Sequence, residues 1–163
     1  MSSPLPARSE PVARALEAAA VPGRIRELSA SARTADRAAE ALGCPVGAIA
    51  NSLVFVSDGE PVLVMTSGRH RVDTAALAAR LGRGPLLRAT PEQVREATGQ
   101  AIGGVAPVGH PRRLPAVVDE ALADYDEVWA AGGTPHTVFP TTADELVRLT
   151  GGRLMPVASP VAS

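Results

Sequence analysis

Two apolar runs joined by a turn limit what this chain can fold into more than any other stretch. Ser52–Val56 (SLVFV) and Pro61–Thr66 (PVLVMT) are rich in β-branched residues. Ser57-Asp58-Gly59-Glu60 between them contains the Asp-Gly pair of a tight reversal. The two runs therefore predict a β-hairpin, and the rest of the chain must be arranged around it.

Helices are marked by their ends. Glu10–Ala20 carries an apolar stripe of Val12, Leu16, Ala19 and Ala20, stopped by Pro22-Gly23. Thr34 is placed to cap a helix over Ala35–Leu42 that Gly43 closes, and Asp73 to cap another that runs to Leu81. Thr90-Pro91-Glu92-Gln93 reads as a capping box with proline at the first helical position, and Gly99 stops that helix. Thr142–Glu145 reads as a second capping box, opening a last helix that ends at Gly151-Gly152. A further helix is expected over Pro115–Leu122. Shorter strands are expected at Arg24–Leu28, Glu127–Ala131 and His136–Pro140, with an edge strand at Leu154–Ala158. Helices and strands mix without strict βαβ alternation, which predicts an α+β fold with a mixed or antiparallel sheet.

A chain of 163 residues fits one domain. Residues 1–9 are expected to be a loose, proline-containing lead-in, 10–158 the folded domain and 159–163 a loose tail. No apolar run approaches the ~18 residues needed to span a bilayer, so no membrane partner is expected. The single cysteine, Cys44, forbids an internal disulfide and suits a reducing, cytoplasmic setting. A net charge of −1 argues against a strongly basic nucleic-acid binder. All sixteen positive residues are arginines, so no step can be assigned to a lysine amine.

The usual chemical signatures are missing. The sequence contains no CxxC, HExxH, Walker A, GxGxxG or GxSxG pattern, so neither a metal nor another cofactor is expected. Three segments remain. Gly99–Pro111 (GQAIGGVAPVGHP) holds four glycines and no charge, and can present main-chain N–H groups without side-chain cover. Such donors can hold a carbonyl oxygen or phosphate; a plain connector opened by glycine is the other reading. His136 follows a Gly-Gly-Thr-Pro turn at the start of a strand, where a structural role is equally open. Asn51 opens the first hairpin strand. His70, His110 and Cys44 read as structural residues.

Taken in order, these segments resemble the YbaK-like domain associated with prolyl-tRNA synthetase, an aminoacyl-tRNA editing domain that also occurs freestanding. The resemblance rests on TADRAAEALGCPVGAIANSLVF, PVLVMTSGRHRVD, GGVAPVGHP and DEVWAAGGTPHTVFPTTADELVRLTGG, from about Ile25 to Ala158. It implies a single α+β domain built on a mixed, barrel-like sheet surrounded by helices. It also implies hydrolysis of the ester joining a wrong amino acid to the tRNA 3′ end. By the same resemblance, the G-x-x-x-P loop falls on Gly103–Pro107, and Gly103, Gly104, Val105 and His136 are the catalytic set. Asn51, Ser52, Thr66, Ala106, Pro107, Gly109 and Gly132 would contact substrate. No metal or protein nucleophile is implied, because the attack is substrate-assisted, with the tRNA's own ribose hydroxyl placing water or the amino acid's side chain attacking. The partners implied are the tRNA acceptor end and a synthetase.

One departure stands out. The family pattern I-x-K-S/T-L has a lysine where IANSL has Asn51. Arg69, Arg71, Arg112 and Arg113 flank the expected site in sequence and could bind phosphates in its place. Two readings follow: a trans-acting deacylase for a small amino acid such as alanine, serine or cysteine, or a module that binds an aminoacyl-adenosine-like ligand without cleaving it.

Overall fold

A computed structural model describes residues 7–28 and 34–158. The expected tail at 159–163 and residues 1–6 of the expected lead-in lie outside the described residues. Residues 7–9, placed in the lead-in from the sequence, form a 3-10 turn. Ser9 there is fully buried, its hydroxyl 3.3 Å from that of Thr137.

The hairpin forms as expected. β2 (Ile49–Ser57) pairs antiparallel with β3 (Glu60–Ser67) from Ala50↔Ser67 to Ser57↔Glu60. Asp58 and Gly59 both take positive φ, 51° and 79°, which matches the turn to the twist of the strands. The hairpin sits in the middle of a mixed sheet of order β1-β7-β6-β2-β3-β5-β8, with β4 also paired to β2. The remaining strands are β1 (Arg26–Glu27), β4 (Leu87–Arg88), β5 (Ala116–Asp119), β6 (Val128–Ala131), β7 (Thr137–Thr141) and β8 (Arg153–Met155). The edge strand expected at Leu154–Ala158 is thus β8, starting one residue earlier and ending sooner.

The helices are α1 (Glu10–Ala18), α2 (Ala35–Leu42), α3 (Thr74–Leu81), α4 (Pro91–Thr98) and α5 (Ala143–Thr150). Thr34 and Asp73 cap α2 and α3 through their side chains, and Thr90 with Gln93 completes the capping box of α4. At α5 only half of the expected box forms. Thr142 accepts from the Glu145 N–H, but the Glu145 carboxylate accepts instead from the Thr141 hydroxyl at 2.9 Å.

Pro115–Leu122 is not the helix expected. Ala116–Asp119 is strand β5, and Glu120–Asp124 follows as a 3-10 turn. Val117 and Val118 pair in parallel with β3 and are 2% and 0% exposed. Burial between β3 and β8 outweighs the helical preference of the Ala-Leu-Ala that follows. β4 was not expected, being only two residues long.

The main core gathers Val12, Leu16, Val94, Phe139 and Leu146 from α1, α4, β7 and α5 against β2 and β3. A second cluster of Phe55, Val62, Val64 and Leu77 packs α3 on the hairpin, and a third packs α2 on Ile49, Trp129 and Val138. With apolar layers on both faces, the sheet offers a site only where its ladder is interrupted.

Candidate functional site

That interruption lies along β2. Opposite β3, its other edge pairs with β6 only at Ile49 and Ala50 and with β4 only at Phe55 and Val56. The stretch from Asn51 to Leu53 therefore has no ladder partner on that side. Because Ser57 and Glu60 form the narrow pair closing the hairpin, odd-numbered residues of β2 bond to β3 and even-numbered ones point the other way. Val54 follows this rule, its carbonyl accepting from Ala89 at 3.2 Å. The N–H and C=O of Ser52 are thereby directed into the gap between β6 and β4.

A cavity of about 190 Å³ occupies this gap. Asn51, Ser52, Gly103, Val105, Thr134 and Arg88 are among its lining residues. Small side chains, Ala50, Ala130 and Ala131, form part of its wall.

The glycine loop closes the cavity by backbone packing. A Cβ on Gly104 would stand 2.4 Å from the Thr134 carbonyl carbon and 2.7 Å from the Pro135 nitrogen. No side chain fits there, so glycine is required for the approach. Gly103 takes φ +91°, where a Cβ would be strained.

Not every amide of this loop is bare. Gly104 donates to the Ala101 carbonyl at 3.1 Å, and Ala106 donates to Gln100 Oε1 at 2.7 Å. Among the described residues no acceptor stands opposite the Gly103 and Val105 N–H groups. Both of those residues line the cavity. The loop thus alternates, tying every second donor inside and leaving the others for a ligand.

Gln100 holds this alternation, and the sequence reading missed it. It is 3% exposed and, besides accepting from Ala106, donates from Nε2 to the Val108 carbonyl at 3.1 Å. Thr98 grips its main chain from both sides, donating to its carbonyl at 3.1 Å and accepting from its N–H at 3.0 Å. The signal was present: a glutamine directly after a helix-stopping glycine, inside an otherwise apolar loop. His110 completes the clamp, its Nε2–H donating to the Ala106 carbonyl at 2.7 Å. Burial lowers the His110 pKa below the ordinary 6.5, partly opposed by that same carbonyl.

The structure therefore gathers Asn51, Ser52, Gly103 and Val105 around one cavity, with Gly104 packed against the backbone of Thr134 and Pro135. Several other residues expected to contact substrate lie away from this cavity. Thr66 is buried, its hydroxyl donating to Asp119 Oδ2 at 3.3 Å, away from the cavity. Ala106 is fully buried with its N–H and carbonyl both engaged. Pro107 and Gly109 line a different concavity, shared with His110, Arg112 and Arg113. Gly132 packs behind the wall, donating to the Thr137 carbonyl at 2.8 Å. His136 is exposed on the rim and does not line the cavity, although its neighbours Pro135 and Thr137 do. Of the flanking arginines, Arg69 pairs with Asp124 at 3.1 Å and lies over the Tyr125 ring.

Comparison with known proteins settles the family. The model for the aminoacyl-tRNA editing domain matches residues 29–149. The chain belongs to the aminoacyl-tRNA editing domain family. A crystal structure of a proposed trans-editing enzyme for prolyl tRNA synthetase is 47% identical, covers 96% of this chain and 100% of its own, and superposes with a TM-score of 0.90. The proline–tRNA ligase of Nitratidesulfovibrio vulgaris (strain Hildenborough) is 36% identical over 101 residues, 62% of this chain. That match spans only 16% of the ligase's length. The Bacillus subtilis protein YwhH is 31% identical over 124 residues, covering 75% of this chain and 78% of its own. The mixed α+β fold read from the sequence agrees with these relatives. No helix among the described residues is long and apolar enough to cross a membrane.

Proposed function

We propose that this chain is a trans-acting deacylase that frees a small, wrongly attached amino acid from the 3′ end of a tRNA. One observation carries the reading: Gly103 and Val105, whose N–H groups have no acceptor among the described residues, line a small cavity together with the bare edge of β2. Gly103 and Val105 hold the ester carbonyl oxygen and strengthen their grip as it becomes an oxyanion. The peptide edge of Ser52 and the Asn51 amide steady the ribose and the acyl group. His136 meets the tRNA from the rim.

No cysteine, histidine or carboxylate is among the residues that line the cavity. The Thr134 and Thr137 hydroxyls are 2.9 Å apart and occupied with each other, and Ser52 Oγ donates to Met65 Sδ at 3.2 Å. The attacking group is therefore water, oriented by the free hydroxyl of the substrate's ribose. Its oxygen bonds to the carbonyl carbon, the bond from that carbon to the ribose oxygen breaks, and the water's proton passes to that oxygen. The alanine-lined wall suits a small side chain. Prolyl-tRNA synthetase is the natural partner enzyme, since relatives of this chain are joined to it or described as serving it.

The test is hydrolysis of a panel of mischarged tRNAs, beginning with proline- and alanine-accepting species. Wild-type protein should cleave at least one small aminoacyl ester. Gly104→Ala, which forces the loop off Thr134 and Pro135, should lower kcat by about 10²-fold, the loss typical of one misplaced oxyanion donor. Cleavage of every ester at the rate of buffer alone would leave a binding module in its place.

A further inference from the structure

Arg88 is the one charged side chain among the residues lining the cavity. It lies on β4, opposite Phe55, and is exposed. Among the described residues its guanidinium has no ion pair, hydrogen bond or aromatic partner. Three of the four arginines considered from the sequence are placed elsewhere. Arg69 is held by Asp124 and Tyr125, and Arg112 and Arg113 line another concavity. Arg26 lies over the Trp129 ring, 5.1 Å from its centroid.

Arg88 thus gives this end of the cavity a free positive charge suited to an anion. Ile102, 47% exposed beside Gly103, adds an apolar surface at the same cavity. Asn51 and Arg88 mark different points along the bare edge, since Arg88 pairs four positions further along β2, about 13 Å at ~3.3 Å per residue. An aminoacyl ester carries a cationic amine, which an arginine repels. The amine therefore belongs at the Asn51 end and the phosphate at the Arg88 end.

We infer that Arg88 binds the phosphodiester of the substrate's 3′-terminal nucleotide, supplying from β4 the positive charge that position 51 lacks. The planar guanidinium can take two phosphate oxygens at once, which a lysine at position 51 could not. This rests on reading the cavity as the seat of a tRNA 3′ end.

The experiment is fluorescence anisotropy with a labelled, uncharged RNA microhelix ending in CCA, titrated over a range of salt. Arg88→Gln should weaken binding about 10- to 100-fold, the loss expected for a hydrogen-bonded charge contact. It should also lower the slope of log Kd against log salt by about 0.7, the signature of one single-strand phosphate contact. Arg88→Lys should keep most of the slope while losing part of the affinity. Arg153→Gln, which removes the same charge from the exposed edge strand β8, should match wild type. Arg88→Gln indistinguishable from Arg153→Gln in affinity and slope would overturn the inference, as would a wild type with no affinity for the microhelix. Binding that depends on Arg88 in a protein that cleaves no ester would remove the deacylase reading alone.

Discussion

Two buried polar side chains each organise a corner of this molecule, to opposite ends. At the end of β5, Asp119 is 1% exposed and collects four donors: the Thr66 hydroxyl, the Ser67 and Ala121 N–H groups, and His70 Nδ1–H. Under the glycine loop, Gln100 is equally buried but neutral, accepting one N–H and donating to one carbonyl. The Asp119 corner turns the donors it gathers inward, onto one carboxylate. The Gln100 corner ties down alternate peptides and leaves those between them open. A binding site here is defined by which donors the fold leaves unspent, not by where polar contacts are densest.

The comparison breaks most visibly at Asp119. Asp119→Leu strands several buried donors, each costing about 1–3 kcal/mol. A total above about 3 kcal/mol would lower Tm by roughly 6–12 °C in a chain of this size. Deacylation per folded molecule should be unchanged. Calorimetry beside activity at a temperature where the variant is folded tests both halves, and lost activity at full folding would erase the contrast.

Gln100→Leu should do less to stability and more to chemistry. It orphans the Ala106 N–H and the Val108 carbonyl, a loss of about 2 kcal/mol. With the alternation released, kcat should fall about 10²-fold. Amide hydrogen exchange should show faster exchange at Ala106 and little change at Ser67. Unchanged exchange at Ala106 would mean that Gln100 does not hold the loop.

The smallest effect sharpens the comparison through pH. His110 is kept neutral by burial, with its folded pKa below the ordinary 6.5. Acid therefore protonates this histidine in the unfolded chain before the folded one. Its contribution to stability is complete above 6.5 and is lost as pH falls through that value toward the folded one. His110→Gln, which keeps a donor for the Ala106 carbonyl, should flatten this part of the stability curve in thermal melts.

What could be read in advance follows from the range of each interaction. The hairpin, the Thr34 and Asp73 caps and the Thr90 box depend on side chains and peptides within a few positions of one another. The sequence states them outright. Asn51, Ser52, Gly103 and Val105, proposed from the order of the segments that carry them, line one cavity in the structure. Thr66 was expected at the site from the resemblance alone; it is paired with Asn51, but its hydroxyl is taken by Asp119, a partner 53 positions away that no local pattern shows. Arg88 was missed because β4 is too short to leave a pattern.

By itself, then, the sequence determined the local stops and turns and the central hairpin. Tertiary structure decided that Pro115–Leu122 begins as a strand, since its parallel partner β3 lies some fifty residues upstream: Asp119 meets Ser67 across 52 positions. It also decided which peptide groups stay open. A donor is free only when every possible acceptor, near or far in the chain, has been placed elsewhere, and only the folded molecule fixes all of those positions.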